Sequence, residues 1–289
     1  MKRLLKLLDD GVAVCYFLTS QHFKHLFQSV VPLVLAKEFA PARSSIAFAV
    51  ALSRCAHLHA GASVMAMHID HLSISTPNLY YGAHRLRLES SLSFYDGGFF
   101  AGGHANRIFP LGGLSYLEIG GIVECDKVRD PRDQPWWYSK VAALGEAFTG
   151  LCMRVDTLEE LQEIARKKNY KISELPTVRT RPTGYKVEAF SAPSPGLTWP
   201  KGLPNWYWFR DFPKHPSGQP VYNWPDTVRP NGISWIEMGG TEKEMTEWLG
   251  VPASGFPFRF NGKNAGVYAV AVKSSKGEIV IRRPSATEF

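Results

Sequence analysis

Cysteine is scarce in this chain, and what there is stands far apart. The 289 residues include four, Cys15, Cys55, Cys125 and Cys152, and no two have C-x-x-C spacing. That argues against a zinc knuckle and against a disulfide scaffold. Free thiols in a reducing compartment are the simpler reading, so the expected location is cytoplasmic. Long apolar runs are also missing. The stretches 11–18, 30–36 and 46–52 fall well short of the roughly 20 residues a bilayer-spanning helix needs, so no membrane partner is expected. Lys2 and Arg3 are followed by Asp9 and Asp10 rather than by a continuous apolar core, which is unlike a secretory signal. Finally, the net charge of +7 is not gathered into a Lys/Arg-rich run with interleaved aromatics. Residues 1–64 hold seven Lys/Arg against three acids, and the rest is nearly balanced. Nucleic acid is therefore set aside as a partner.

With 45% hydrophobic residues, the chain can bury one large core or two modest ones. Residues 1–64 do not resemble the remainder of the chain. Met65 and Met67 stand directly before the first patterned strand, so residues 1–64 are expected to be a non-native extension, with a targeting or family-specific segment as the alternative.

The chemistry concentrates between His68 and Glu124. Along His71-Leu72-Ser73-Ile74-Ser75 polar and apolar residues alternate, as in a half-buried strand. His71, Ser73 and Ser75 share one face, Leu72 and Ile74 the other. Further on, His104, Asn106 and Ile108 share a face, as do Tyr116 and Glu118. Strands lying side by side would bring His71, His104, Asn106 and Glu118 to one polar concavity. Two imidazoles and a carboxylate suit a divalent ion such as zinc, iron or manganese.

This stretch resembles the first module of a glyoxalase-like domain in the vicinal oxygen chelate superfamily. The matching residues are Asp70-His71-Leu72, Pro77-Asn78-Leu79, Gly103-His104-Ala105-Asn106-Arg107 and Tyr116-Leu117-Glu118. A weaker likeness continues to about residue 283. The resemblance implies an α+β fold of tandem βαβββ modules, their curved mixed sheet wrapped around a cleft and their helices on the outer face. It implies a small-molecule enzyme of lyase, isomerase or dioxygenase type, acting on vicinal oxygens. His71 and Glu118, with His104 as an added ligand, would hold the metal (zinc, iron, manganese or nickel). His104 and Glu118 would be the catalytic residues. The alternative is a metal-free protein of the bleomycin-resistance type that sequesters a small molecule. Such modules often pair their sheets across a homodimer.

In chain order, residues 65–125 form the first module, with Pro77 and Asn78 at the start of a helix. Residues 126–148 form a polar connector and a helix opened by Trp136-Trp137-Tyr138. Residues 149–211 repeat the strand–helix–strand–strand–strand order after a capping box, Thr157 to Glu160. Residues 212–289 combine a Pro/Trp-rich loop, expected to cover an opening, with a shorter βαββ unit behind a second capping box at Thr241. Trp136, Trp206 and Trp208 are expected to wall an aromatic cleft. Asn106, Arg210 and Arg229 are candidate substrate contacts, the arginines for an anionic group. Departures from the superfamily pattern lie in the second module. Its last strand, Trp206-Tyr207-Trp208-Phe209, has no acid before Asp211. Arg229 stands where related domains often have histidine, and His215 is the nearest substitute.

Overall fold

The computed structural model describes residues 67–124, 145–174, 176–193, 204–211, 216, 221 and 224–288. Residues 1–64, Trp136 and His215 lie outside them. Among the described residues the chain forms twelve strands and three α-helices, and no helix is long and apolar enough to cross a membrane.

The first unit shows how pattern becomes architecture. Strand β1 (Met67–Ser75) sends Leu72 and Ile74 to the core and His71 and Ser73 to the other side, as the alternation predicts. Helix α1 (Leu79–Ser90) starts where the Asn78 side chain accepts from the Tyr81 amide, and Leu79, Ala83 and Leu86 form its buried stripe. Three strands come next: β2 (Tyr95–Phe99), β3 (His104–Gly112) and β4 (Ser115–Ile122). Gly97 and Gly98 are part of β2, and the chain bends at Gly102-Gly103.

The second unit repeats the order: β5 (Ala147–Val155), α2 (Leu158–Lys168), β6 (Thr177–Thr180), β7 (Lys186–Pro193) and β8 (Pro204–Phe209). Both bonds of the Thr157–Glu160 capping box form, at 3.1 Å each. Such a cap contributes about 1 kcal/mol.

The curved mixed sheet closes on itself. The eight strands run β1-β4-β3-β2-β6-β7-β8-β5 around a barrel. Each half contains one parallel pair, β1 with β4 and β5 with β8. Two antiparallel seams join the halves. One is the long β1–β5 ladder, with His71 opposite Cys152; the other is the short Phe99–Thr180 contact of β2 with β6. The outer face belongs to the helices. Leu72, Ile74, Phe109, Leu117 and Ile119 meet α1, and Leu151, Met153, Val155 and Trp206 meet α2, in one continuous core. Burying each large apolar side chain stabilises the fold by about 1.5–3 kcal/mol.

A second sheet is ordered β10-β9-β11-β12, from β9 (Pro230–Met238), β10 (Phe258–Phe260), β11 (Val267–Ser274) and β12 (Gly277–Arg282). Helix α3 (Glu242–Leu249) comes after β9, behind the Thr241 capping box. Three strands therefore succeed this helix, where the sequence suggested two; β10 is too short to show periodicity. Trp248 of α3 packs on Trp206 with ring centroids 5.1 Å apart, so this unit shares the barrel's outer core. Arg283 ties it to α1 through Glu89 at 2.6 Å and to Glu146 at 2.8 Å.

Candidate functional site

The face of each strand turned away from the helices lines the barrel lumen. The first half contributes His71 from β1, Tyr95 from β2, Asn106 and Ile108 from β3, and Tyr116 and Glu118 from β4. The second contributes Cys152 from β5, Arg179 from β6, Val187 and Ala189 from β7, and Tyr207 and Phe209 from β8. Apolar clusters separate from the main core mark this lining: Tyr95, Ile108 and Tyr116 on one side, Val187, Ala189 and Phe209 with Tyr207 on the other.

Two polar groups stand out. In the first, Asp70 lies at a register shift of the β1–β5 ladder, between Ile69 and His71. It is buried, receives Arg154 at 3.4 Å and holds the His71 Nδ1 at 2.6 Å. His71 also hydrogen-bonds the Cys152 thiol, and its ring stacks on Tyr116 at 4.6 Å. Burial works against the imidazolium, but the Cys152 sulfur and the Asp70 carboxylate outweigh it and hold His71 well above the usual imidazole range. Burial likewise pushes the Cys152 thiol up, against the pull of His71.

The second group surrounds Glu118. Its Oε2 accepts from the Asn106 amide at 2.8 Å, which fixes the carboxylate's orientation. Asn106 fits there because Gly97 has no side chain; a Cβ at Gly97 would lie 2.1 Å from Asn106 Oδ1. Three phenols face the same space. Burial pushes Tyr95 up to about 12, against the pull of Arg179 and Arg181. Burial also pushes Tyr116 and Tyr207 up, with Glu118 adding to it. All three therefore keep their protons at neutral pH and remain hydrogen-bond donors. Tyr95 donates to the Pro216 carbonyl at 2.5 Å, so part of the loop expected to cover an opening does reach the lumen wall. His104, at the start of β3, stacks on Phe100 at 4.3 Å. Burial lowers it, against the pull of Glu118, so its imidazole is neutral.

The structure thus brings His71, Asn106 and Glu118 to one lumen, with His104 within the field of Glu118. Others lie elsewhere. Trp206 is fully buried on the helix side, and Trp208, two residues on, packs against the same outer core beside Phe190. The aromatic lining that β8 supplies is Tyr207 and Phe209 instead. Arg210 is exposed and paired with Glu188 at 2.6 Å. Arg229 is exposed at the start of the second sheet, its amide bonded to Ser275. Neither arginine reaches the lumen. The residues that sequence reasoning missed are Asp70, Cys152, Arg179 and Tyr207. For Cys152 a signal existed: it alternates with Leu151 and Met153 and pairs in register with His71.

The metal site that the resemblance implies does not fit this lining. His71 has Nδ1 engaged by Asp70 and a second bond to Cys152. Asn106, an amide, takes up the Glu118 carboxylate. Among the described residues no three His, Cys, Asp or Glu side chains are grouped so as to hold a metal ion.

A family model described as a glyoxalase-like domain matches residues 69–249, more than half of the chain. No curated protein matches. Among solved structures, a hypothetical protein from Staphylococcus aureus is similar at 10% identity and a TM-score of 0.47, covering 76% of this chain and 86% of its own. Methylmalonyl-CoA epimerase from Mycobacterium tuberculosis is similar at 11% identity and a TM-score of 0.30, covering 42% of this chain and 77% of its own. Streptomyces coelicolor methylmalonyl-CoA epimerase in complex with 2-nitronate-propionyl-CoA is similar at 18% identity and a TM-score of 0.31, covering 43% of this chain and 83% of its own.

Proposed function

The chain belongs to the glyoxalase-like domain family of the vicinal oxygen chelate superfamily, and from that premise we propose that its lumen performs acid–base chemistry on a small carbonyl compound. Glu118 removes a proton from the carbon beside the carbonyl. The negative charge that develops on oxygen is met by the phenol donors of Tyr116 and Tyr207, in a space whose low dielectric strengthens such contacts. Return of the proton from Glu118 to the same carbon regenerates the compound and exchanges its hydrogen; delivery to the neighbouring carbon of an enediolate, with the hydroxyl proton passing to the other oxygen, makes the reaction an isomerisation. Neutral His104 exchanges that proton with solvent. The buried Asp70–His71 pair positions Tyr116 through the stacked ring. No step is routed through a metal, because the donor set does not fit one. A reducing, cytoplasmic setting suits a Cys152 kept as a thiol.

The observation behind this reading is the Asn106–Glu118 contact. A carboxylate held in one orientation, on a lumen face with protonated phenols, is arranged as a base with an oxyanion site. The test needs no prior substrate. Small 2-oxo acids, 2-hydroxy ketones and thioesters are incubated with the protein in D2O, and deuterium entering the α-carbon is followed by NMR. The wild-type chain should exchange at least one compound, and Glu118→Gln should lose that exchange by about a hundredfold or more. Equal exchange in both would overturn the proposal.

A second reading has its own support. The Val187, Ala189 and Phe209 wall is apolar and would suit sequestration of a ligand without chemistry. Binding without deuterium exchange of any bound compound would favour it.

A further inference from the structure

Among the described residues, one cation in the lumen has no counter-charge. Arg179 is 6% exposed, yet among the described residues it has neither an ion pair nor a hydrogen bond, and its Nε is a buried donor without an acceptor. An isolated buried guanidinium is costly unless something negative meets it. Its placement is built rather than accidental. The stem crosses β2 at Gly98, where a Cβ would lie 2.5 Å from Arg179 Cγ and 2.6 Å from the Thr180 carbonyl oxygen. Gly98 also sits at φ +146°, a conformation that side-chain-bearing residues rarely adopt. Around the guanidinium are the phenols of Tyr95, Tyr116 and Tyr207, all within its field. A second cation stands beside it. Arg181 lies over the Tyr95 and Tyr185 rings, 5.4 Å from each centroid. Two guanidinium groups two residues apart repel each other there. The Glu118 carboxylate is engaged with Asn106.

We infer that Arg179 is a carboxylate-binding subsite, and that the molecule held in the lumen carries a carboxylate at the end opposite the carbon facing Glu118. A guanidinium fork matches a carboxylate with two parallel hydrogen bonds. The two ends of the ligand are sorted by sign. An anionic terminus is drawn to β6 and repelled by Glu118, so the remainder of the molecule is presented to the base. This rests on the function proposed above and narrows its substrates to small carboxylic acids, including dicarboxylates.

The test uses the full chain with malonate, its neutral isostere malonamide, and inorganic phosphate as probes. Binding is read by thermal shift and by titration calorimetry. Malonate should raise the melting midpoint saturably, and malonamide should not. Arg179→Gln should weaken malonate by about tenfold or more, and Arg179→Lys should fall between. Without ligand, Arg179→Met should leave the midpoint unchanged or raise it, since it removes an unmatched buried charge; a structural arginine would lower it. Glu118→Gln should keep malonate binding. Malonate binding indifferent to Arg179, or phosphate binding with no malonate binding, would overturn the inference. The two proposals fail separately. Arg179-dependent malonate binding without α-carbon exchange leaves the subsite standing and removes the chemistry. Glu118-dependent exchange with Arg179-indifferent binding does the reverse.

Discussion

The two halves of the barrel are matched outside and mismatched inside. On the helix side, β1–β4 with α1 and β5–β8 with α2 bury the same kind of apolar stripe, in the same order of elements. Inside, the first half presents His71, Asn106 and Glu118, whereas the second presents Cys152, Arg179 and the apolar Val187, Ala189 and Phe209. Position by position the seam makes this plain: His71 of β1 faces Cys152 of β5 in register. A repeated fold with unrepeated lining separates two jobs. Under the proposed function the acidic half reacts and the cationic, apolar half holds, while the shared outer core keeps both in place.

If the outer faces are equivalent, truncating them should cost alike. Phe109→Ala in the first half and Trp206→Ala in the second remove side chains that are wholly buried. Each should lower unfolding free energy by about 3–5 kcal/mol in urea melts. A much smaller loss in one half would break the equivalence. By contrast Tyr207→Phe, one residue from Trp206 but facing the lumen, should cost about 1 kcal/mol or less.

The inner faces should differ in their response to pH. His71 is held above its ordinary value, so its folded form binds a proton that the unfolded chain releases above about pH 6.5. The associated stability is fully present below that pH and is lost as pH rises through the raised value. Cys152, also raised, adds a loss of the same sign further into the alkaline range. Unfolding free energy should therefore fall from about pH 6.5 upward with a slope of no more than one proton per group. Asp70→Asn should flatten the His71 portion, and Cys152→Ser the alkaline portion. A rise in stability over this range would contradict the account of the pair.

The helix starts offer a finer comparison. Asn78→Ala before α1 and Thr157→Ala before α2 should each cost about 1 kcal/mol. Smallest of all is Arg210→Ala, whose partner pairing is half-exposed; there the change should stay within about 1 kcal/mol.

Much of this was legible in the sequence. Alternation placed His71 and Glu118 on one side of their strands and Leu72, Leu117 and Ile119 on the other, because one face had to be apolar. The capping boxes at Thr157 and Thr241 fixed two helix starts. What stayed hidden was hidden for physical reasons. In Trp206-Tyr207-Trp208-Phe209 every residue is aromatic, so no period says which face is inner; only the Trp248 contact decides it. Arg179 sits in Thr-Val-Arg-Thr, where an arginine reads as a solvent-facing residue, and its burial depends on barrel closure by a single β2–β6 contact. The task of Gly97 and Gly98, leaving room for Asn106 and Arg179, was hidden because it involves residues that are remote in sequence. Arg210 and Arg229 flank the Pro/Trp-rich loop expected to cover an opening, yet position along the chain does not report which strand face a residue takes.

The most direct test of the division of labour is a crystal structure of the full chain soaked with malonate, a dicarboxylate with an acidic methylene. The account predicts density inside the barrel, with one carboxylate at hydrogen-bonding distance from Arg179 and the methylene turned toward Glu118. Malonate bound only on the outer surface, or in the lumen but reversed or away from Arg179, would contradict it.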